Sequence, residues 1–447
     1  MDERFCGGRM IQLLAQAILC VGVVAGNPAP VPCPPTAAPT APPPPAPTAP
    51  PVPTAAPTPK PTPTLAPTPM PTPVPTPSVA YDPPAGTQPN FASSIFLQKL
   101  PSAPVLAANS ATEMTAIAAA KGNTITFGNA QFWAIANPVN YTADYGWPIY
   151  LNHQGSNTPV KIHCIEPWAS GGCNVEGLTV YIDPRELPEN YPPKNGQIAP
   201  NQDAHWVLHD IAPDAAGNMY EYILWQTQWP PQNGVLTISW GGRCLLGGNG
   251  FTNPSAGAKQ NIACGGDATS SPATPLLIRA DDWMHALHTN GVLPSAPGIA
   301  IDVATVGSCT APAPFLGNDG SGSCATYPPE GDRFFLRAHD SDVNASGCKP
   351  LMCVLLRTID EDHFGTFLTD STGTGNSNTF GFQMQNDLTF TAWGLPGPNN
   401  AVLLPEFKAE GFTIGGPWGG SYQIPLVIPA AYENPAMWAI CAKPTCS

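Results

Sequence analysis

Short runs of alternating apolar and polar residues recur along the chain from about Asp82 onward, and turn-forming residues separate them. The runs are rich in Val, Ile, Tyr, Phe, Trp and Thr. A period of two residues in these residue types is typical of β-strands that bury one face. The predicted strands are NTITFGN, WPIYLNH, LTVYID, HWVLHDI, MYEYILWQ, GVLTISWGG, GIAIDVATV, DRFFLRA, NTFGFQM and LTFTAWG.

Helical periodicity is confined to three segments, SATEMTAIAAAKG, RADDWMHALHTNG and PLMCVLLRTIDEDHFG. The first two are each followed or closed by a glycine, Gly122 and Gly291, as helices often are. Many short strands with a few helices predict a mostly β fold. We expect a single β-sandwich or jelly-roll-like domain with a few short helices.

The N-terminal part of the chain has a different composition. Two arginines precede an apolar run from Met10 to Val24, and small residues follow it, so residues 1–26 are predicted to be a signal peptide. An uncleaved signal-anchor is the alternative. Residues 27–81 are mostly Pro, Thr and Ala and predict a disordered, extended linker. The β-rich domain is expected over residues 82–447, secreted or at the cell surface, with no membrane span in the mature chain.

Cysteine usage and charge narrow the class of protein further. Ten of the 13 cysteines follow the linker and fall as close neighbours in sequence, which favours five local disulfides in an oxidising compartment. The net charge is -14, from 17 basic and 31 acidic residues. An acidic chain without basic clusters repels phosphate backbones, so nucleic acid is not an expected partner.

Several phrases occur together in a fixed order. They are SIFLQKLP, ANSATEM, the D-x-H strand, MYEYILW, SWGGR, PLLIRADDW, GVLPSAPGIAI and YPPEGDRFFLRA. This order resembles a family of secreted bacterial β-rich proteins across nearly the whole folded part. The resemblance implies export, the extent of the domain and a Glu and Trp on the strand after D-x-H, but no particular reaction. The chain departs from the family pattern at Ser295, Ala296 and Pro297, where the family tends to have His-Ala-Leu.

The stretch DAHWVLHD concentrates polar chemistry on one strand. Trp206 and Leu208 are expected to face the core, which leaves Asp203, His205 and His209 on the opposite, open surface. A hairpin then returns along MYEYILWQTQW. If His209 lies opposite Glu221, the shared face also carries Glu221 and Trp225. A slip of one residue would instead bring Tyr222, Gln226 and Gln228 to this face.

These residues define the candidate site. We expect Asp203, His205 and Glu221 to form an acid/base set, Trp225 and Trp240 to bind sugar rings, and Arg243 to recognise a carboxylate. The function expected is that of a polysaccharide hydrolase or lyase acting on a polysaccharide or cell-surface glycan. The alternatives are a non-catalytic glycan-binding or cell-surface module and a structural envelope protein. In these, the residues only bind a glycan or face solvent.

Two further acid-rich stretches are HDSD at residues 339–342 and DEDHFG at residues 360–365. They resemble cation-binding loops but lack the full spacing of a calcium loop. No cofactor or catalytic metal is expected, and a structural Ca²⁺ in these loops is the alternative.

Overall fold

The computed structural model describes most of the chain from Phe91 onward. The described residues belong to the second of the two units into which the chain divides, Ser78–Ser447. They are residues 91, 93–127, 129–135, 146–152, 157–165, 173–189, 203–210, 214–251, 264, 268–315, 317–372, 380–414 and 421–447. The predicted signal peptide and linker lie outside the described residues.

The described residues form many short strands and a smaller number of helices. The strands are β1 (Asn129–Ile135), β2 (Ile149–Asn152), β3 (Thr158–Cys164), β4 (Thr179–Ile182), β5 (Trp206–Asp210), β6 (Tyr220–Trp225), β7 (Val235–Ile238), β8 (Trp240–Leu245), β9 (Gly298–Asp302), β10 (Arg333–Leu336), β11 (Thr366–Thr372), β12 (Gly381–Phe382), β13 (Ser421–Pro425) and β14 (Trp438–Ile440). The α-helices are α1 (Ser110–Ala119), α2 (Ala280–Thr289), α3 (Asp340–Ala345), α4 (Pro350–Thr358), α5 (Leu388–Thr391) and α6 (Leu404–Ala409).

The strands form four sheets. Strand β1 pairs with β13, and the larger sheets have the orders β12-β9-β11-β10-β14, β2-β5-β6-β8 and β4-β3-β7. Each larger sheet contains one parallel pair, namely β9 with β11, β2 with β5 and β3 with β7. The β-rich character with short helices is thus as predicted. The sandwich or jelly-roll arrangement stays a prediction, and these parallel pairs would not occur in a purely antiparallel jelly roll.

Two predicted strands are wrong. NTITFGN precedes a strand instead of forming one, since β1 begins only at its last residue, Asn129. LTFTAWG begins with helix α5, and the two side chains just before it bond to backbone amides, Asn386 to the start of α5 and Asp387 to the 399–400 segment. The amide of Leu388 donates to Oδ1 of Asn386 at 2.8 Å, and the carboxylate of Asp387 accepts from the amides of Asn399 and Asn400 at 2.8 and 3.0 Å. Such side-chain bonds to the backbone outweigh the β-propensity of the Thr and Phe residues.

The third predicted helix is shorter than its pattern suggested. Helix α4 ends at Thr358, and the DEDHFG stretch turns instead, with Oδ1 of Asp360 accepting from the amide of Asp362 at 3.0 Å. Gly365 has a φ of +64°, which a glycine adopts without strain. The chain then enters β11, a strand that the sequence pattern missed. The other two predicted helices are confirmed as α1 and α2.

Strand β5 is buried on both faces. Trp206 and Leu208 pack into one apolar core, as predicted. Val207 packs on the other side, in a second cluster with Trp147 and Ile223. The face that was expected to be open is therefore covered, so the histidines of DAHWVLHD lie inside the protein.

The five local disulfides are confirmed. They join Cys164 to Cys173, Cys244 to Cys264, Cys309 to Cys324, Cys348 to Cys353, and Cys441 to Cys446, with Cα–Cα distances of 4.7 to 6.6 Å. Among the described helices, none combines the length and the apolar content that crossing a bilayer requires.

Candidate active site

His205 and Glu189 form a buried pair at the start of β5. Nδ1 of His205 lies 2.6 Å from Oε1 of Glu189, and the same oxygen accepts from the His205 amide at 3.2 Å. The Glu189 amide donates in turn to the His205 carbonyl at 3.1 Å. The indole of Trp147 stacks on the imidazole with ring centroids 4.3 Å apart. Backbone and side-chain contacts together hold the imidazole in one orientation.

Asp203 lies beside this pair and is partly exposed. One ligand atom from each of Glu189, Asp203 and His205 lies within 4.8 Å of the others. Oδ1 of Asp203 accepts from Nε1 of Trp225 at 3.2 Å. The intervening residue, Ala204, has a φ of +43°, a conformation that costs a non-glycine residue energy and that often occurs at functional sites.

Asp370 belongs to a different sheet. The pairing of β11 with β9 is shifted between Leu368 and Asp370, and such bulges re-aim side chains. Nε2 of Gln383 lies 3.5 Å from Oδ2 of Asp370, and the Ser371 amide donates to Oδ1 at 2.8 Å. The Asp370 charge acts on His205. The five-stranded sheet therefore contributes a charge that acts on the site in the β2-β5-β6-β8 sheet.

Electrostatics keep His205 protonated. Burial lowers its pKa, but the carboxylates of Glu189, Asp203 and Asp370 outweigh burial and raise the pKa to about 9. Burial raises the pKa of Glu189 to about 7, against the lowering effect of the His205 charge. Between these two values, a charged imidazolium faces a charged carboxylate. The arrangement can donate a proton from His205 next to the carboxylate of Asp203.

Of the two registers that the sequence leaves open, the structure has the one that places His209 opposite Glu221, but Glu221 does not join Asp203 and His205. His209 lies opposite Glu221, with Nε2 2.8 Å from Oε2, and neither side chain is exposed. Glu221 also accepts from the amide of Ala273 at 2.7 Å and from the amide and hydroxyl of Thr274. A carboxylate so enclosed fastens β6 to the 273–274 segment and cannot touch a substrate.

The other predicted residues divide between the two faces of the sheet. Trp225 is half-buried beside Asp203, and Trp240 lies opposite it in the β6–β8 ladder. Arg243 lies opposite Tyr222 and donates to its hydroxyl at 2.9 Å, and its guanidinium covers the ring of Tyr220 at 4.1 Å. Tyr220 and Tyr222 belong to the core of Trp206 and Leu208, so Arg243 lies away from the face of His205.

The Gly-Gly pair after Trp240 continues strand β8. Gly241 is required for close approach, because a Cβ there would lie 2.9 Å from the carbonyl oxygen of Ile223 on β6.

The sequence pattern missed Glu189, Trp147 and Asp370. Glu189 lies in LPENYPP, a proline-rich stretch without periodicity, and no local signal singles it out. Asp370 lies in TFLTDST, whose alternation is typical of a strand and could have been recognised. Its position next to His205 depends on how two sheets pack.

The two acid-rich stretches do meet in the structure. Nδ1 of His363 lies 3.1 Å from Oδ1 of Asp360 and 3.5 Å from Oδ1 of Asp340. Burial raises the pKa of Asp360 to about 6, while His363 lowers it. Burial lowers the pKa of the nearby Arg357, and the charges of Asp340 and Asp360 offset part of that lowering. These carboxylates thus have a guanidinium and an imidazole as charge partners.

No family model matches this chain, no curated protein matches it, and no solved structure matches it. The geometry of the site is therefore the basis for a functional proposal.

Proposed function

We propose that this chain is a secreted or cell-surface carbohydrate-active enzyme that hydrolyses a glycosidic bond in a neutral or amino-bearing polysaccharide. The observation that carries the proposal is the buried imidazole of His205, with Nδ1 2.6 Å from Oε1 of Glu189, next to the partly exposed carboxylate of Asp203. Export is supported by the five disulfides, which persist in oxidising compartments.

Hydrolysis of a glycosidic bond needs an acid and a base or nucleophile. The imidazolium of His205 protonates the leaving oxygen, and Asp203 either activates a water molecule or attacks the anomeric carbon. Glu189 is fully buried and acts as a positioning residue that orients the imidazole and keeps it charged. The half-buried ring of Trp225, fixed by its bond to Asp203, supplies an apolar face for a sugar.

The charge of the site favours hydrolysis over elimination. Lyases that act on uronates must neutralise the substrate carboxylate, which requires cationic or neutral donors. The charges that act most strongly on His205 are those of Glu189, Asp203 and Asp370, and all are negative. Arg243, the cation predicted to recognise a carboxylate, is bound to Tyr220 and Tyr222 on the other face.

The test is a panel of neutral, amino-bearing and uronate polysaccharides incubated with the full chain, with assays for reducing ends and for unsaturated products. We expect reducing ends from a neutral or amino-bearing polymer. His205→Ala and Asp203→Asn should each lower the rate by a factor on the order of 10²–10⁴.

The matched control is His163→Ala. His163 also pairs with a glutamate, Glu176, at 3.3 Å, but both side chains are more than half exposed. This variant should keep the wild-type rate. Unsaturated products from a uronate polymer would instead support a lyase. Glycan binding without any product in wild type and variants would support the non-catalytic module.

A further inference from the structure

Three carboxylates from separate segments meet near Asp370. Asp319 lies in the loop after β9, Glu330 precedes β10, and Asp370 lies on β11. One oxygen from each lies within 4.8 Å of the others. Neither acid-rich stretch identified in the sequence contributes to this group.

Glu330 is the unusual member of the group. Its residue is fully buried, and Oε1 has no hydrogen-bond partner among the described residues. Oε2 accepts from the amide of Asp319 at 3.2 Å. Burial, then the charge of Asp319 and its side-chain hydrogen bond with Glu330, and then the charge of Asp370, hold the pKa of Glu330 well above its usual range. A buried carboxylate oxygen without a partner is costly unless a proton or a cation compensates it.

The loop that carries Asp319 is held in place before any ligand binds. The Cys309–Cys324 disulfide encloses it, and the side chain of Asn318 donates to the carbonyls of Gly307 and Cys309. Gly317 packs so closely against Ala268 that a Cβ would overlap its carbonyl oxygen. The carboxylate of Asp319 therefore approaches Glu330 from a preorganised loop.

The nearby charges distinguish the group of Asp319, Glu330 and Asp370 from the other acidic cluster, which consists of Asp340, Asp360 and His363. That cluster includes an imidazole and lies near the guanidinium of Arg357. The charges that act most strongly on Glu330 are carboxylates alone. A group of three carboxylates has hard oxygen ligands and a surplus of negative charge, which is the donor set that Ca²⁺ prefers.

We propose that Asp319, Glu330 and Asp370 bind a Ca²⁺ ion, with the remaining ligands from water or backbone carbonyls. The ion binds Oε1 of Glu330, the buried oxygen that has no hydrogen-bond partner among the described residues. Because Asp370 also acts on His205, the ion links the loop of Asp319 to the catalytic groups. The site does not depend on the proposed reaction, since it rests on the carboxylate geometry alone.

The experiment is equilibrium dialysis of the full chain against Ca²⁺ after treatment with a chelator, combined with thermal unfolding with and without Ca²⁺. We expect one bound ion per chain, with a Kd on the order of 10⁻⁴–10⁻³ M, as in extracellular modules. The Tm should rise by about one to two degrees at millimolar Ca²⁺. Asp319→Asn, at an exposed position, and Glu330→Gln should weaken binding at least about tenfold.

Asp340→Asn is the matched control, because Asp340 belongs to the other acidic cluster. It should leave binding unchanged. The proposal is overturned if the wild type binds no Ca²⁺, or if Asp340→Asn weakens binding and Asp319→Asn does not. A wild type that binds no Ca²⁺, together with a Glu330→Gln variant that is more stable than it, would show that a proton and not an ion compensates the buried carboxylate of Glu330. Failure of glycan hydrolysis with Ca²⁺ binding intact would count against the proposed reaction alone.

Discussion

His205 carries its charge because three carboxylates outweigh the cost of burying an imidazolium. Glu189 makes the closest of these contacts and is itself enclosed. The three groups differ in exposure: Asp203 is partly exposed and the His205 side chain is 5% exposed, whereas Glu189 is fully enclosed and can act only through His205. The sequence pointed to His205 and Asp203, which lie in a dense polar stretch, but contained no sign of Glu189.

Replacing Glu189 with Gln should change the pH dependence of the reaction. In the wild type, the rate should rise with pH through about 7 as Glu189 ionises and fall through about 9 as His205 loses its proton. Glu189→Gln removes the rise in rate near pH 7, because glutamine does not ionise. It also moves the alkaline limb to lower pH by about one unit or more, because the charge that raises the His205 pKa is gone. A pH–rate profile of kcat/KM measures both limbs.

A profile that keeps both limbs in the variant would show that Glu189 does not act on His205. The His163→Ala variant should retain the wild-type profile, because its pair is exposed and solvent screens it.

At the scale of elements, β5 and β6 form the hairpin that the turn residues predicted, with the register that places His209 opposite Glu221. This register was expected to bring Glu221 onto an open face together with His205, and the structure differs. Both faces of this hairpin are covered, so the second histidine and its glutamate fasten strands together. A period of two predicts which residues share a face, but it does not predict whether the second face meets water or another segment.

Replacing Glu221 with Gln should therefore lower stability. The variant loses a buried, charge-assisted network with His209 and Thr274, and we expect the free energy of unfolding to fall by about 2–3 kcal/mol. Denaturant unfolding with disulfides intact measures the change.

The matched control for this prediction is Glu176→Gln, which alters an exposed His–Glu pair and should cost less than about 1 kcal/mol. Equal effects of the two substitutions would contradict the structural role assigned to Glu221.

At the scale of the whole described unit, the candidate site lies in the β2-β5-β6-β8 sheet, and the five-stranded sheet contributes a charge that acts on it. Disulfides support this arrangement only locally, since each joins cysteines no more than 20 residues apart. They hold loops, such as the one that carries Asp319, while long-range packing of the strands holds the sheets.

Removal of single disulfides should cost stability according to loop length. Cys309 and Cys324 are separated by 15 residues, and Cys348 and Cys353 by 5. Replacing each pair by Ser should lower the free energy of unfolding by about 3 and about 2 kcal/mol respectively, because the longer closure restricts the unfolded chain more. Denaturant unfolding in the presence of a chelator compares the two variants without a contribution from Ca²⁺. A larger cost for the Cys348–Cys353 pair would contradict this account.

The sequence by itself determined the features that depend on neighbours along the chain. These are the β-rich character, the helices at Ser110–Ala119 and Ala280–Thr289 and the five close cysteine pairs. Periodicity, turn residues and short loop closure report on local geometry, so they are readable without a structure.

Tertiary structure alone decided which polar groups meet. Glu189 reaches His205 from 16 residues away, and Asp370 on another sheet meets Asp319 and Glu330. No local pattern encodes such encounters, because they result from the packing of whole sheets. For the same reason, Glu221, which the sequence placed beside His205, is enclosed with His209 instead.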